Sequence, residues 1–339
     1  MPRQPEKPEG CQELKTYAGF RWCAHGWIRQ TLGNIIIVGP TSQGKTETIR
    51  GEAAAGAAPL VLQGINSPTS AFMKIQEWVV RQGNDGPIII DDADPLFATL
   101  AGQTMMKELI LDKPNRTVTH GTEYAGLRAA GFGKEFQMSN PVAIILNRWR
   151  TFNDHLAAVK ARGKLVYVNF SAPEVHQYVG TWFLDRPSAT ARAQADEVYA
   201  LAGQFLPLIP TPNIREYYEE PLKELLTEER LGRPNPEGDW KRMLLRRLVR
   251  PNEMEAAVLY SDPYSSNAEK ARAFVGAGHG SARTFYRHLA KFRAGTTTAD
   301  DMKAADALAD ALESEPQTTG GSLPSGADVL DAFLDGQPG

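Results

Sequence analysis

The chain has little cysteine, no long apolar run and almost no net charge, and each shortage excludes something. Two cysteines, Cys11 and Cys23, in 339 residues cannot make a disulfide framework, and neither has the neighbouring ligands of a zinc site. They read as ordinary intracellular thiols. No stretch approaches the roughly 18–20 apolar residues that span a bilayer, and Met1 to Lys15 is polar, without the apolar core of a signal peptide. A soluble, cytoplasmic protein with no membrane partner is expected. The net charge of −3 identifies no partner from composition alone.

What is present is uneven. Residues 240–293 carry 11 Lys/Arg against 4 Asp/Glu, and residues 294–339 carry 1 against 9. A basic segment followed by an acidic tail points to an anionic partner and to something that screens against it. At 339 residues with 42% hydrophobic content, two or three folded units are expected.

Five short, β-branched runs read as buried parallel strands, because they are apolar on successive residues. They are Asn34–Val38, Leu60–Gln63, Pro87–Asp91, Val142–Leu146 and Leu165–Phe170. Helix-compatible stretches lie between them at Lys45–Ala55, Thr69–Arg81, Pro95–Leu111 and Asp154–Ala161. Alternation of this kind predicts an α/β core with a parallel sheet. After Ala172 only helices are expected, at Pro173–Leu184, Ala191–Gly203, Asn213–Glu228, Trp240–Arg250, Asn267–Ala277 and Ser281–Arg293. From Ala294 the composition predicts disorder, interrupted by one apolar stripe, Val329, Leu330, Phe333 and Leu334, that could dock a protein partner.

The first strand runs into Gly39-Pro40-Thr41-Ser42-Gln43-Gly44-Lys45-Thr46 and then a helix. This is the pattern of a phosphate-binding loop: glycines let the backbone wrap phosphates so that N–H groups face the oxygens. Lys45 would reach the β- and γ-phosphates of ATP, Thr46 would ligate Mg²⁺, and the helix N-terminus adds partial positive charge. The third strand ends in Asp91-Asp92, where a metal-holding carboxylate belongs. Asp91 is the metal candidate; Asp92, with Asp94 in reserve, is the candidate for polarising the attacking water. Asn147, closing the fourth strand, would orient that water. Arg162 and Arg215 are candidates for the cation that a transferring phosphoryl group needs.

Together these residues resemble the AAA+ ATPases across roughly residues 30–230. Walker A (Gly39 to Thr46), Walker B (Ile88 to Asp92) and Asn147, similar to sensor 1, stand in the family's order. The resemblance implies a sheet order of 5-1-4-3-2 and a trans-acting arginine finger at Arg162. It also implies a sensor 2 position at Arg215, a helical lid, and assembly into a homo-oligomeric ring or filament. The family usually ends Walker B in Asp-Glu; this chain has Asp91-Asp92, one methylene shorter, which predicts altered water contact or slow hydrolysis. The stretch Arg116 to Asn147, with Gly131-Phe132-Gly133, resembles AAA+ proteins of phages, plasmids and other mobile elements.

Asn267–Ala277, the glycines around His279 and the helix from Ser281 resemble a helix-turn-helix. Phe285, Leu289 and Phe292 would face inward, leaving Arg283, Thr284, Tyr286, Arg287 and Lys291 outward for DNA, with Arg242, Arg246 and Arg250 as a second basic stripe. The expected division is an N-terminal segment (1–30), an ATPase core (31–172), a lid (173–260), a basic helix-turn-helix-like segment (261–293) and an acidic tail (294–339). An ATPase acting on DNA is the leading expectation. A slow nucleotide-dependent switch that recruits a protein through the tail is the alternative.

Overall fold

The computed structural model describes residues 7–56, 58–64, 67–83, 86–120, 129, 131–149, 154–185, 191–209, 211–236, 238–248, 250–262 and 266–292. The acidic tail and its apolar stripe lie outside the described residues. The described chain falls into two units. The first comprises Met1–Val175 with Thr211–Ile214, and the second His176–Pro210 with Arg215–Gly339.

The first unit is built on a six-stranded parallel sheet. Its strands are β1 (Gln12–Leu14), β2 (Ile35–Val38), β3 (Leu60–Gln63), β4 (Ile88–Asp91), β7 (Val142–Leu146) and β8 (Lys164–Val168). Their order is β1-β8-β2-β7-β4-β3. Without β1, this is the 5-1-4-3-2 order that the AAA+ resemblance implies, and the fold is an α/β P-loop core followed by a helical region. A two-stranded antiparallel ribbon, β5 (Arg116–Thr119) with β6 (Glu135–Met138), stands apart from the sheet.

Helices α1 (Tyr17–Ile28), α2 (Lys45–Ala54), α3 (Pro68–Gln82), α4 (Asp94–Phe97), α5 (Leu100–Leu109) and α6 (Asp154–Arg162) connect the strands. Right-handed crossovers divide them between the faces. The steps β1 to β2 and β2 to β3 run one way along the sheet; every later step runs back. So α1 and α2 share one face and pack together, while α3, α5 and α6 share the other, with α5 against both neighbours. The second face holds the main core. Ile36, Val38, Ile88, Ile90, Val142, Ile144, Leu165 and Tyr167 meet Phe72, Ile75, Met106, Leu109 and Val159 there. The intervening Ile35, Ile37, Ile89, Ala143, Ile145 and Val166 are buried on the first face. Burial on both faces makes these strands apolar throughout, as read from the sequence.

Four helix expectations change: Pro173–Leu184 stops at Gly180, Asn213–Glu228 opens as a π-helix over Arg215–Glu219 before the α-helix Glu220–Leu231, and two more differ as follows. The stretch Pro95–Leu111 is broken at Ala98–Thr99, because Thr99 caps α5 by accepting the Gly102 N–H at 3.1 Å. The helix expected over Trp240–Arg250 ends at Leu245, and Pro251–Tyr260 forms a separate helix; Pro251 suits a first helical position, where its missing N–H costs nothing.

Helices α7 (Ala172–Gly180), α8 (Arg192–Gln204), α9 (Glu220–Leu231), α10 (Trp240–Leu245), α11 (Pro251–Tyr260), α12 (Asn267–Gly276) and α13 (Ala282–Phe292) follow. A five-residue π-helix, Arg215–Glu219, precedes α9. Among the described residues no helix is long and apolar enough to cross a membrane.

Candidate functional site

The register aligns Val38 with Leu146 and Ile90 with Ile144. The carboxyl ends of β2, β4 and β7 therefore open onto one edge, and the helices that follow the neighbouring strands β2 and β7 lie on opposite faces of the sheet. Ligands of open α/β sheets bind at such a point.

The loop Gly39–Thr46 leaves β2 and turns into α2 at this edge. Ser42 (φ 54°) and Gly44 (φ 72°) both lie in the left-handed region. Gly44 is the N-cap of α2, so the first-turn N–H groups have no helical acceptor and point out of the helix. Gly39 is required for space, since a Cβ there would lie 2.4 Å from the Val168 carbonyl oxygen. Gly39, Pro40 and Gln43 are buried, Thr41 is exposed, and Ser42, Gly44 and Thr46 are half-buried.

Lys45 is 5% exposed. Its Nζ donates to the carbonyls of Gly39 at 2.9 Å and Pro40 at 2.5 Å, and to Asn147 Oδ1 at 3.4 Å. Burial lowers its pKa to about 8, opposed by the charges of Asp91, Asp92 and Asp94. Thr46 Oγ1 donates to Asp91 Oδ2 at 2.9 Å. Burial raises the Asp91 carboxyl above the usual range, with the Thr46 bond acting against that shift. Asp92 is exposed, adopts φ 51° and donates its N–H to Asp91 Oδ1 at 3.1 Å. Asn147 Nδ2 donates to Asp92 Oδ1 at 3.1 Å, and the Asn147 N–H donates to Asp94 Oδ2 at 3.4 Å.

Five of the residues predicted from sequence thus converge: Lys45, Thr46, Asp91, Asp92 and Asn147. The arrangement fits a triphosphate with one divalent cation. A buried ammonium and outward N–H groups supply the anion seat. The Thr46–Asp91 pair supplies two hard oxygens. Among the described residues no group of three His, Cys, Asp or Glu could hold a metal alone, so a cation here needs phosphate and water oxygens as well. That is how Mg²⁺ is ordinarily bound.

Arg162 does not join this group. It ends α6 just before β8, at the amino edge of the sheet, and its Nη1 donates to the Lys107 carbonyl at 3.4 Å. A strand of five residues separates it from the carboxyl edge, so it cannot serve a nucleotide held by its own chain. Arg215 is exposed and opens the π-helix of the second unit.

Two contacts to the loop carried no sequence signal. Tyr17 Oη donates to the Gln43 carbonyl at 2.7 Å, and the Ile214 N–H donates to the Ser42 carbonyl at 2.8 Å. A cleft of about 680 Å³ lined by Ser67, Thr69, Ser70, Met73, Lys74, Glu77 and Phe132 lies at the start of α3 and includes none of the converging residues.

In the second unit, α12 and α13 are joined by a turn with Gly278 at φ 76° and Gly280 at φ 138°. Ser281 Oγ accepts the Thr284 N–H at 3.3 Å. Phe285, Leu289 and Phe292 are buried as expected, but so is Tyr286, at 5% exposure, with its ring edge-on to Phe285. The outward placement of Tyr286 is therefore corrected. The apolar face also takes in Ala282 and His288 and is wider than the Phe285, Leu289, Phe292 stripe. Arg283, Arg287 and Lys291 are exposed and Thr284 is half-buried. Lys291 Nζ is paired with Glu253 Oε1 at 2.7 Å. In the second basic stripe, Arg242 is paired with Glu255 at 2.8 Å, while Arg246 and Arg250 are exposed.

No family model matches the chain. No curated protein matches it. Among solved structures it is similar to a crystal structure of a DNA replication initiation factor, at 12% identity, covering 93% of this chain and 91% of that one, with a TM-score of 0.33. At that score the likeness bears on neither activity nor partner.

Proposed function

We propose that this chain binds Mg-ATP in the loop Gly39–Thr46, hydrolyses it, and couples the reaction to DNA as a homo-oligomer. The observation that carries the reading is the convergence of Lys45, Thr46, Asp91, Asp92 and Asn147 on one sheet edge. Lys45 would exchange its loop carbonyls for phosphate oxygens. Thr46 and Asp91 would hold the cation, which supplies charge neutralisation at the transferring phosphoryl. Asn147, bonded to both Lys45 and Asp92, would set the position of Asp92 toward the attacking water. Arg162 could act only on a nucleotide bound by a neighbouring copy, which is the basis for proposing an oligomer.

The DNA arm rests on Arg283 and Arg287, exposed on a helix within a segment of local charge +7. The test is phosphate release with Mg²⁺ at low salt, with and without single- and double-stranded DNA, using Lys45→Ala as control. Low salt matters because phosphate contacts weaken steeply as salt rises. Stimulation by DNA that the control lacks supports the reading. Turnover indifferent to DNA, with no DNA retained, removes the DNA arm.

The alternative is a slow nucleotide-dependent switch that recruits a protein through the acidic tail. One observation favours it: Asp92 is short and already tied to Asn147. Slow turnover that responds to a protein and not to DNA would support it.

A further inference from the structure

The outer turn of the loop is held by three hydrogen bonds that the phosphate-binding motif itself does not require. Tyr17, stacked on Phe170 at 3.9 Å, donates its hydroxyl to the Gln43 carbonyl. From elsewhere in the chain, the Ile214 N–H donates to the Ser42 carbonyl at 2.8 Å, and Gln43 Nε2 donates to the Pro212 carbonyl at 3.3 Å. Ser42 is a non-glycine residue at φ 54°, a conformation that persists where its surroundings enforce it.

Gln43 is the unusual member. It is 1% exposed, and its Oε1 has no hydrogen-bond partner. A half-satisfied amide in a buried site costs stability. The one bond its side chain makes is to residue 212. Thr211–Ile214 belongs to the first unit, whereas the chain on either side of it belongs to the second. Directly after Ile214 comes the π-helix Arg215–Glu219, a rare conformation concentrated at functional positions.

We propose that Gln43 is a positioning residue that joins the phosphate loop and Thr211–Ile214 into one body, so that a nucleotide in the loop fixes the backbone from which Arg215 starts. This rests on the reading that the loop holds a nucleoside triphosphate. Phosphate oxygens accepting the loop N–H groups hold Ser42 and Gln43 in one geometry. The two bonds to Pro212 and Ile214 then hold Thr211–Ile214, the strap, in the same geometry. Nucleotide occupancy is thereby reported to the second unit through the backbone, ahead of any contact made by the Arg215 side chain.

The test is amide hydrogen exchange on the full chain, with and without saturating ATP and Mg²⁺, in the wild type, Gln43→Met and Tyr17→Phe. In the wild type, ATP should slow exchange both in the loop and over residues 211–219, the latter by about fivefold, the worth of one net hydrogen bond. In Gln43→Met, ATP should still slow the loop, while residues 211–219, left with the Ile214–Ser42 bond alone, should slow by well under fivefold. Tyr17→Phe, which cuts the other tether, should keep the slowing over 211–219. Should Gln43→Met not fold, Gln43→Asn, too short to reach Pro212, replaces it. A slowed loop with an unchanged strap in the wild type overturns the proposal. Full slowing of the strap in the Gln43 variants also overturns it. A loop that ATP does not slow at all withdraws the nucleotide reading itself, a different failure with a different signature.

Discussion

Asn147 donates its amide to Asp92 Oδ1 at 3.1 Å, tying the end of β7 to the residue that follows β4. Its Oδ1 accepts from Lys45 Nζ at 3.4 Å, so one carboxamide spans the cation that would hold phosphate and the carboxylate that would face water. Asn147→Ala should lower ATP turnover about 100-fold, the scale for losing one positioned donor. Nucleotide affinity should change far less. Asn147→Asp should be worse, because it sets a second negative charge against Asp92. Steady-state turnover and nucleotide titration on the same preparations check both; a large loss of affinity with unchanged turnover per bound site would contradict the assignment.

The pKa of Lys45, lowered to about 8, gives ATP binding a pH dependence. The ammonium is charged below that value and neutral above it, so affinity should fall as pH rises from 7.5 to 9.5. Lys45→Arg, which stays charged, should give a flat profile at whatever affinity remains. The same shift affects stability in the opposite sense. Between the folded value and the ordinary lysine value of 10.5, the unfolded chain binds the extra proton, so the free protein should become more stable as pH rises through that window. Fluorescent-nucleotide titration and thermal unfolding across pH measure the two separately.

Asp91→Asn should separate nucleotide binding from metal use. Thr46 keeps a hydrogen-bond partner in this variant, but one anionic ligand is lost. ATP should still bind without Mg²⁺, while the tightening that Mg²⁺ brings and the hydrolysis should both be lost. Calorimetric titration of ATP with Mg²⁺ and with EDTA decides it. A variant that still tightens with Mg²⁺ would mean that the metal is held elsewhere.

His288 is 3% exposed, and neither ring nitrogen has a hydrogen-bond partner. Glu253, Lys291 and Arg287 are the charged groups that act on it, and burial lowers its pKa. The unfolded chain therefore protonates first as pH falls below the ordinary histidine value of 6.5, and stability is lost in that direction. His288→Leu should remove this part of the acid sensitivity. Thermal unfolding at pH 5, 6 and 7 measures it; equal acid sensitivity in both proteins would clear His288 of the role.

If Arg283 and Arg287 contact DNA phosphates, each change to Ala should weaken binding across sequences and reduce the salt slope by about 1. Lys291→Ala should do less than Arg287→Ala, because that ammonium is already paired with Glu253 at 2.7 Å. Fluorescence anisotropy on a duplex over a series of salt concentrations resolves the slopes.

The strands, the phosphate loop and the two carboxylates were legible because their signals are local. A strand buried on both faces is apolar throughout, and a loop that wraps phosphate needs its glycines at fixed spacing. What escaped lacks such a signal. β1, with pattern exposed, half-buried and buried over Gln12–Leu14, is too short and polar to stand out. The ribbon of Arg116–Thr119 and Glu135–Met138 pairs strands divided by a long connection. Tyr17 and Pro212 meet the loop across 26 and 169 residues, and no periodicity records such a contact. Tyr286 was misplaced because a three-residue stripe understated the width of the buried face.

The most direct test of the central claim is calorimetric titration of ATP, with Mg²⁺, into the wild type and Lys45→Ala at neutral pH. Saturable binding at one site per chain is expected in the wild type and none in the variant. Equal binding by both, or none by either, would contradict it.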